Sequence, residues 1–145
     1  MRTLCLASLV CLVGTLLLGG CSNNAPQAER ESSNLKPLAV YYGRYVGQHR
    51  GKSPADEKEL KEFIRKQPTT ELEAFGIKDV DALFISSRDK KPYKFSFQQK
   101  SVMPGSIAVF AWEQDGVDGK RYVGGTLGQI EEVDEAKFRE LVPNP

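Results

Sequence analysis

Cysteine is scarce and confined to one end: the 145 residues hold Cys5, Cys11 and Cys21 and no other. The sequence beyond residue 21 therefore has no disulfide and no reactive thiol, and must be stabilised by packing alone. There is a single histidine, His49. A His/Cys zinc site needs three or four such ligands, so one within a single chain is excluded. Charge of one sign is missing too, with 20 Lys and Arg against 19 Asp and Glu. Phosphate backbones demand a basic surplus or stripe, so nucleic acid is not an expected partner. The longest apolar stretch, Leu4 to Leu18, is shorter than the ~20 residues of a membrane span. Internal repeats are absent.

What stands at the start has its own pattern. Arg2 supplies a positive charge, Leu4 to Leu18 an apolar core, and Gly19-Gly20 two small residues before Cys21. Leu18-Gly19-Gly20-Cys21 resembles the lipobox of bacterial lipoprotein signals. The resemblance implies a signal peptide over residues 1–20 and a Cys21 that is diacylated at sulfur and becomes the mature N-terminus. It further implies a protein of the bacterial cell envelope, held to a membrane by lipid with its head outside the cytoplasm. Ser22 after the cysteine favours the outer membrane over the inner one. Residues 21–34, ending in SNNAPQAERESSN, lack apolar periodicity and read as the acylated cysteine and a flexible tether.

Residues 35–145 read as a single α+β domain. Leu35, Leu38, Ala39, Tyr42, Tyr45, Val46 and His49 recur at helical spacing, which predicts a helix to about Gln48. Ser53-Pro54-Ala55-Asp56 predicts the start of a second helix, capped by Ser53, that buries Leu60, Phe63 and Ile64 and stops at Pro68. Thr69 to Gly76 is a short helical segment, and Val80 to Ile85 a turn leading into a short strand. Strands are expected at Tyr93–Phe97, Ile107–Trp112, Arg121–Thr126 and Gln129–Val133, with a closing helix capped by Asp134. Helices followed by a meander imply an antiparallel sheet packed on the first helix.

Three short motifs carry a family likeness. Leu35 to Gln48, then Gly51-Lys52-Ser53-Pro54 and Leu60, looks like the end of a pilin helix with its Gly-x-x-Pro turn. Arg88-Asp89-Lys90-Lys91-Pro92-Tyr93 resembles the Asp-x-x-Gly-x-Pro-Tyr entry to the pilin sheet, with Lys91 in place of the glycine. Asp115-Gly116-Val117-Asp118-Gly119 resembles the acidic loop between later strands. The layout is thus similar to the head of type IV pilin-like proteins, above all the major pseudopilin of type II secretion. No prepilin-peptidase site precedes it, so the likeness implies a pseudopilin-like head carried on a lipid anchor instead of a filament subunit.

Candidate chemistry is sparse. His49 is the one imidazole of the chain and could act as the general base of a hydrolase with Ser86, Ser87 or Asp89. Its neighbours Arg50 and Lys52 are basic and offer it no orienting carboxylate, and its plainer role is to finish the buried face of the first helix. Replacing it with Ala separates the two. Glu113, Asp115 and Asp118 offer oxygen ligands around a glycine-containing turn, which suits calcium. The spacing is not that of an EF-hand, and Asp-Gly pairs are also ordinary hairpin residues. Tyr93, Phe95 and Phe97 alternate, so all three face one side of a sheet. The glycines of Gly124-Gly125-Thr126-Leu127-Gly128 lack the Lys-Ser/Thr of a phosphate loop. The expectation is a non-catalytic lipoprotein, without a cofactor, that binds another envelope protein or the cell wall. A calcium- or small-ligand-binding module is the alternative, and a hydrolase using His49 the third reading.

Overall fold

The computed structural model describes residues 32–97 and 107–145. The signal at 1–20, Cys21 and the tether as far as residue 31 lie outside the described residues. No helix among the described residues is long and apolar enough to cross a membrane.

The described residues run through four helices, then four strands, then a fifth helix. The first helix, α1, spans Leu35–Gln48, as its apolar spacing predicts, and buries Leu35, Leu38, Ala39, Tyr41, Tyr42 and Tyr45. Pro37 lies in its first turn, where a missing N–H has no intrahelical partner to lose. The helix ends where Arg50 and Gly51 both adopt positive φ, and the Gly51 N–H returns to the Val46 carbonyl at 2.8 Å.

The second helix, α2, spans Glu57–Arg65 and starts later than the Ser53-Pro54 signal suggests. Asp56 is its cap: one carboxylate oxygen accepts the Glu59 N–H at 2.8 Å, while Glu59 reaches back to the Ala55 N–H at 2.7 Å. This reciprocal pair satisfies two donors at once. Ser53 is instead engaged by the Tyr42 hydroxyl at 3.0 Å, which fastens the α1–α2 turn to α1. Two short helices follow, α3 over Thr69–Ala74 and α4 over Val80–Leu83. The Val80 to Ile85 stretch thus resolves as a single helical turn capped by Asp79, after which Ile85 forms one bridge with Pro92.

The sheet is a fully antiparallel meander in the order β1-β2-β3-β4, formed by Lys94–Phe95, Val109–Trp112, Lys120–Gly125 and Ile130–Asp134. The expected strands are all present, each trimmed or shifted by a residue or more at its ends. In β2 all four residues are buried. Val109 and Trp112 nevertheless belong to one cluster while Phe110 and Ala111 belong to the other. Residues three apart cannot share a face in a regular strand. The register provides the answer, because Val109 pairs with Gly125 and Ala111 with Gly124, so one extra residue is accommodated in a bulge.

Both faces of the sheet are therefore covered. On one, Phe110, Tyr122, Phe97 and half-buried Phe95 pack with α1, α2 and α4 residues. Tyr42 stacks on Phe110 at 4.5 Å between ring centres, and each such fully buried aromatic contributes on the order of 2 kcal/mol or more. Gly124 lies where a Cβ would stand 3.1 Å from Phe110 and 3.5 Å from Leu35, so the missing side chain is what lets α1 approach β3. On the other face, Val109, Trp112, Val123 and Val133 pack with Phe138 and Leu141 of α5, Glu135–Leu141, and with Val142 just after it. Asp134 caps α5 by accepting the Lys137 N–H at 2.8 Å, and Val133 and Phe138 share that cluster as the staple pattern predicts. β4 ends the sheet, with Glu131 and Asp134 exposed along it.

Candidate functional site

The segment from Ser86 to Tyr93 and the turn from Glu113 to Lys120 meet at one end of the sheet. Ser86 opens the first: its hydroxyl oxygen accepts the Arg88 N–H at 3.0 Å, and its own N–H donates to the Lys91 carbonyl at 2.9 Å. Lys90 takes a φ of 59°, which closes the loop in time for Pro92 to bridge Ile85.

Glu113 continues from β2 with its side chain completely buried. Its carboxylate accepts the Ser86 hydroxyl at 2.7 Å, the Tyr122 N–H at 2.8 Å and the Arg88 guanidinium at 3.3 Å. Burial pushes this carboxyl above the ordinary glutamate value, and the Tyr122, Ser86 and Arg88 donors pull against that rise. Arg88 also reaches Glu132 at 3.0 Å and lies over the Tyr122 ring, 3.9 Å from its centre. One guanidinium thus serves two carboxylates and an aromatic face, a geometry that its planar fork permits and an ammonium would not.

Asp89 bonds the two segments together. One of its oxygens accepts the Asp115 N–H at 3.0 Å and the Gly116 N–H at 3.1 Å, and the other accepts the Lys91 N–H at 3.0 Å. Burial opposes the charge, yet these backbone donors outweigh it and hold Asp89 below the usual aspartate value. Lys91 pairs with Asp115 beside them. The turn itself is closed by the reciprocal Val117 and Lys120 backbone bonds at 2.7 and 3.0 Å. Asp118 and Gly119 both have positive φ, as a two-residue hairpin of the I′ type requires.

The sequence-level candidates are thereby placed. Glu113 points into the core end, Asp115 pairs with Lys91, and Asp118 sits exposed in the turn. Among the described residues, no group of three or more His, Cys, Asp or Glu side chains is gathered where it could hold a metal ion. His49 ends α1 with its ring stacked 3.9 Å from that of Tyr45 and its Nδ1 at 2.7 Å from the Tyr45 carbonyl. It borders a shallow cleft of about 160 Å³ with Glu59, Glu62 and Lys66, whereas Ser86 and Asp89 are engaged with Glu113, Asp115 and Gly116. The structure does not unite His49 with them. Arg88 is the residue that sequence reasoning did not single out, although it holds the centre of the cluster.

A second concavity, of about 210 Å³, opens beside the start of α1 and is lined by Asn34, Pro37, Phe75, Ile77, Lys78 and Leu83 among others. Asn34 does not cap α1 with its side chain but donates to the Ile85 carbonyl at 2.8 Å and the Ala82 carbonyl at 3.3 Å, tying the entry of the helix to α4 and the residues just after it. Compared with protein-family models, curated proteins and solved structures, the chain matches none.

Proposed function

We propose that this chain is a lipid-anchored protein of the bacterial cell envelope whose head has a pilin-like arrangement and acts by binding, without catalysis, another envelope protein or the cell wall. The anchor rests on Leu18-Gly19-Gly20-Cys21 and the tether that follows. The observation that carries the reading of the head is the Asp89 carboxylate. It joins the Arg88–Tyr93 and Asp115–Gly119 segments, the two sheet motifs that resemble a pseudopilin, across 26 and 27 residues of sequence. A helix packed across an antiparallel meander supports the same reading. A binding role is favoured over hydrolysis because Ser86 is buried and engaged with Glu113, while His49 is held against the Tyr45 carbonyl beside a separate cleft.

The test has two parts. Grown in a bacterial host with an alkyne fatty acid, the full chain should take up label and the Cys21→Ala variant should not; equal labelling overturns the anchor. Photo-crosslinkers placed on exposed head positions in intact cells should then trap one discrete envelope component. Adducts with no preferred partner would overturn the binding role.

A further inference from the structure

Two Asp-Gly pairs stand in one turn, Asp115-Gly116 and Asp118-Gly119, and no other aspartate or asparagine of the chain precedes a glycine. In such a pair the glycine nitrogen can close on the carboxyl carbon of the aspartate, because no Cβ shields that nitrogen. By sequence the two pairs are equivalent. The structure separates them.

At the first pair the atoms that would react are occupied. Asp89 accepts the Gly116 N–H at 3.1 Å and the Asp115 N–H at 3.0 Å, and Lys91 pairs with the Asp115 carboxylate. Gly116 is packed so closely that an added Cβ would stand 2.1 Å from the Lys120 carbonyl oxygen. Ring closure there would break these contacts in a place without room for the peptide to rotate. At the second pair the same atoms are open. Asp118 and Gly119 are exposed, and among the described residues nothing bonds to the Asp118 carboxylate or to the Gly119 N–H. A Cβ on Gly119 would meet nothing within 4 Å, so the peptide between the two has space to turn. It lies at the tip of the hairpin closed by the reciprocal Val117 and Lys120 bonds, and an exposed tip opens at low cost.

We propose that Asp118 is a site of spontaneous conversion to isoaspartate through a succinimide, and that Asp89 shields Asp115 from the same reaction. The Gly119 nitrogen attacks the side-chain carbonyl carbon of protonated Asp118. The C–N bond forms, the nitrogen's proton and the carboxyl hydroxyl leave as water, and a cyclic imide results. Water then adds back. Opening at the side-chain carbonyl restores aspartate, whereas opening at the main-chain carbonyl leaves isoaspartate, with the chain routed through the β-carbon. The water lost is regained, and nothing is oxidised or reduced. The extra backbone carbon does not fit a hairpin whose central residues must both hold positive φ, so Val117 and Lys120 lose their pairing. The Asp89 bonds to Asp115 and Gly116 lie before the altered residue and remain. Neither the lipid anchor nor the binding role is needed for this inference.

The purified full chain is incubated at mildly acidic pH, once folded and once in urea. The tryptic peptide ending at Lys120 carries both aspartates, and electron-transfer fragmentation assigns isoaspartate to one or the other. Expected in the folded chain is conversion at 118 at least several-fold faster than at 115, and in urea similar rates at both. Asp89→Ala, shown by circular dichroism to be folded, should raise the rate at 115 and leave that at 118 unchanged. Equal rates in the folded chain, or faster conversion at 115, overturn the proposal. So does conversion at 118 that occurs in urea but not in the folded chain, because the turn then protects the site. A folded Asp89→Ala chain in which 115 stays unreactive overturns the shielding by Asp89. The comparison of folded and unfolded wild type does not depend on that variant folding.

Discussion

The Ser86 hydroxyl meets the Glu113 carboxylate at 2.7 Å, inside a part of the molecule from which water is excluded. The bond closes the entrance loop of the sheet over the end of β2, and Arg88 supplies the charge that makes a buried carboxylate tolerable. Removing the carboxylate strands Ser86, the Tyr122 N–H and one arm of Arg88. Glu113→Ala is expected to lower the unfolding free energy by about 3 kcal/mol, the usual cost of breaking a buried pair. Glu113→Gln retains an acceptor oxygen and should cost distinctly less. Urea denaturation of the two variants checks the order, and equal losses would contradict it.

The two acids of this cluster should respond to pH in opposite directions. Glu113 is raised by burial, so its contribution is most favourable below its unfolded value near 4.5 and declines as pH rises through the folded value. Asp89, despite burial, is held low by the N–H groups of Asp115, Lys91 and Gly116. Its contribution is complete above the unfolded value near 3.8 and is lost as pH falls through the folded one. Urea unfolding across roughly pH 3 to 7 should therefore show the stability gap between wild type and Asp89→Asn closing on acidification. The gap relative to Glu113→Gln should move in favour of the wild type over the same change.

Gly116 and Gly119 both have a φ of 73°, but only the first is crowded. A Cβ on Gly116 would stand 2.1 Å from the Lys120 carbonyl oxygen, whereas one on Gly119 would meet nothing within 4 Å. Gly119→Ala should cost about 1 kcal/mol, from backbone strain alone. Gly116→Ala should cost about 3 kcal/mol or more, because the turn must open. Thermal melts of the two variants distinguish the cases, and similar shifts would show that the turn relaxes freely.

Calcium should leave the melting temperature unchanged. The Glu113 oxygens already accept from Ser86, Arg88 and Tyr122, and Asp115 is paired with Lys91, so an ion would have to displace donors before gaining ligands. A melt with calcium and with chelator decides it, since an ion specific for the folded state must raise apparent stability. A clear rise would return Glu113, Asp115 and Asp118 to the role of ligands.

The helices were legible because their signals are local. Apolar spacing delimits α1, and the Asp134 cap with its Val133–Phe138 staple marks α5. The start of α2 was misplaced because Ser53, Pro54 and Asp56 all resemble helix openings, and only the tertiary bond from Tyr42 removes Ser53 from the choice. The bulge in β2 was invisible for a similar reason, since a wholly apolar strand has no alternation to interrupt. Glu113 looked like a turn residue beside Asp115. A signal was present nonetheless: Glu113 stands two residues beyond Ala111, on the inward side of the pleat. Arg88 enters the sequence reading only as the first residue of a motif, and its role there is not legible because its partners Glu113 and Glu132 lie 25 and 44 residues away.

With helices on both of its faces, the sheet has only its rims left to offer another chain. The rim formed by β4 is acidic, and Glu131 and Asp134 are exposed along it. Two copies brought edge to edge would set carboxylate against carboxylate before any backbone bond could form. Crowded neighbours of this chain are thereby kept from zipping into a continuous ribbon, while an extended segment bearing lysine or arginine would meet no such barrier.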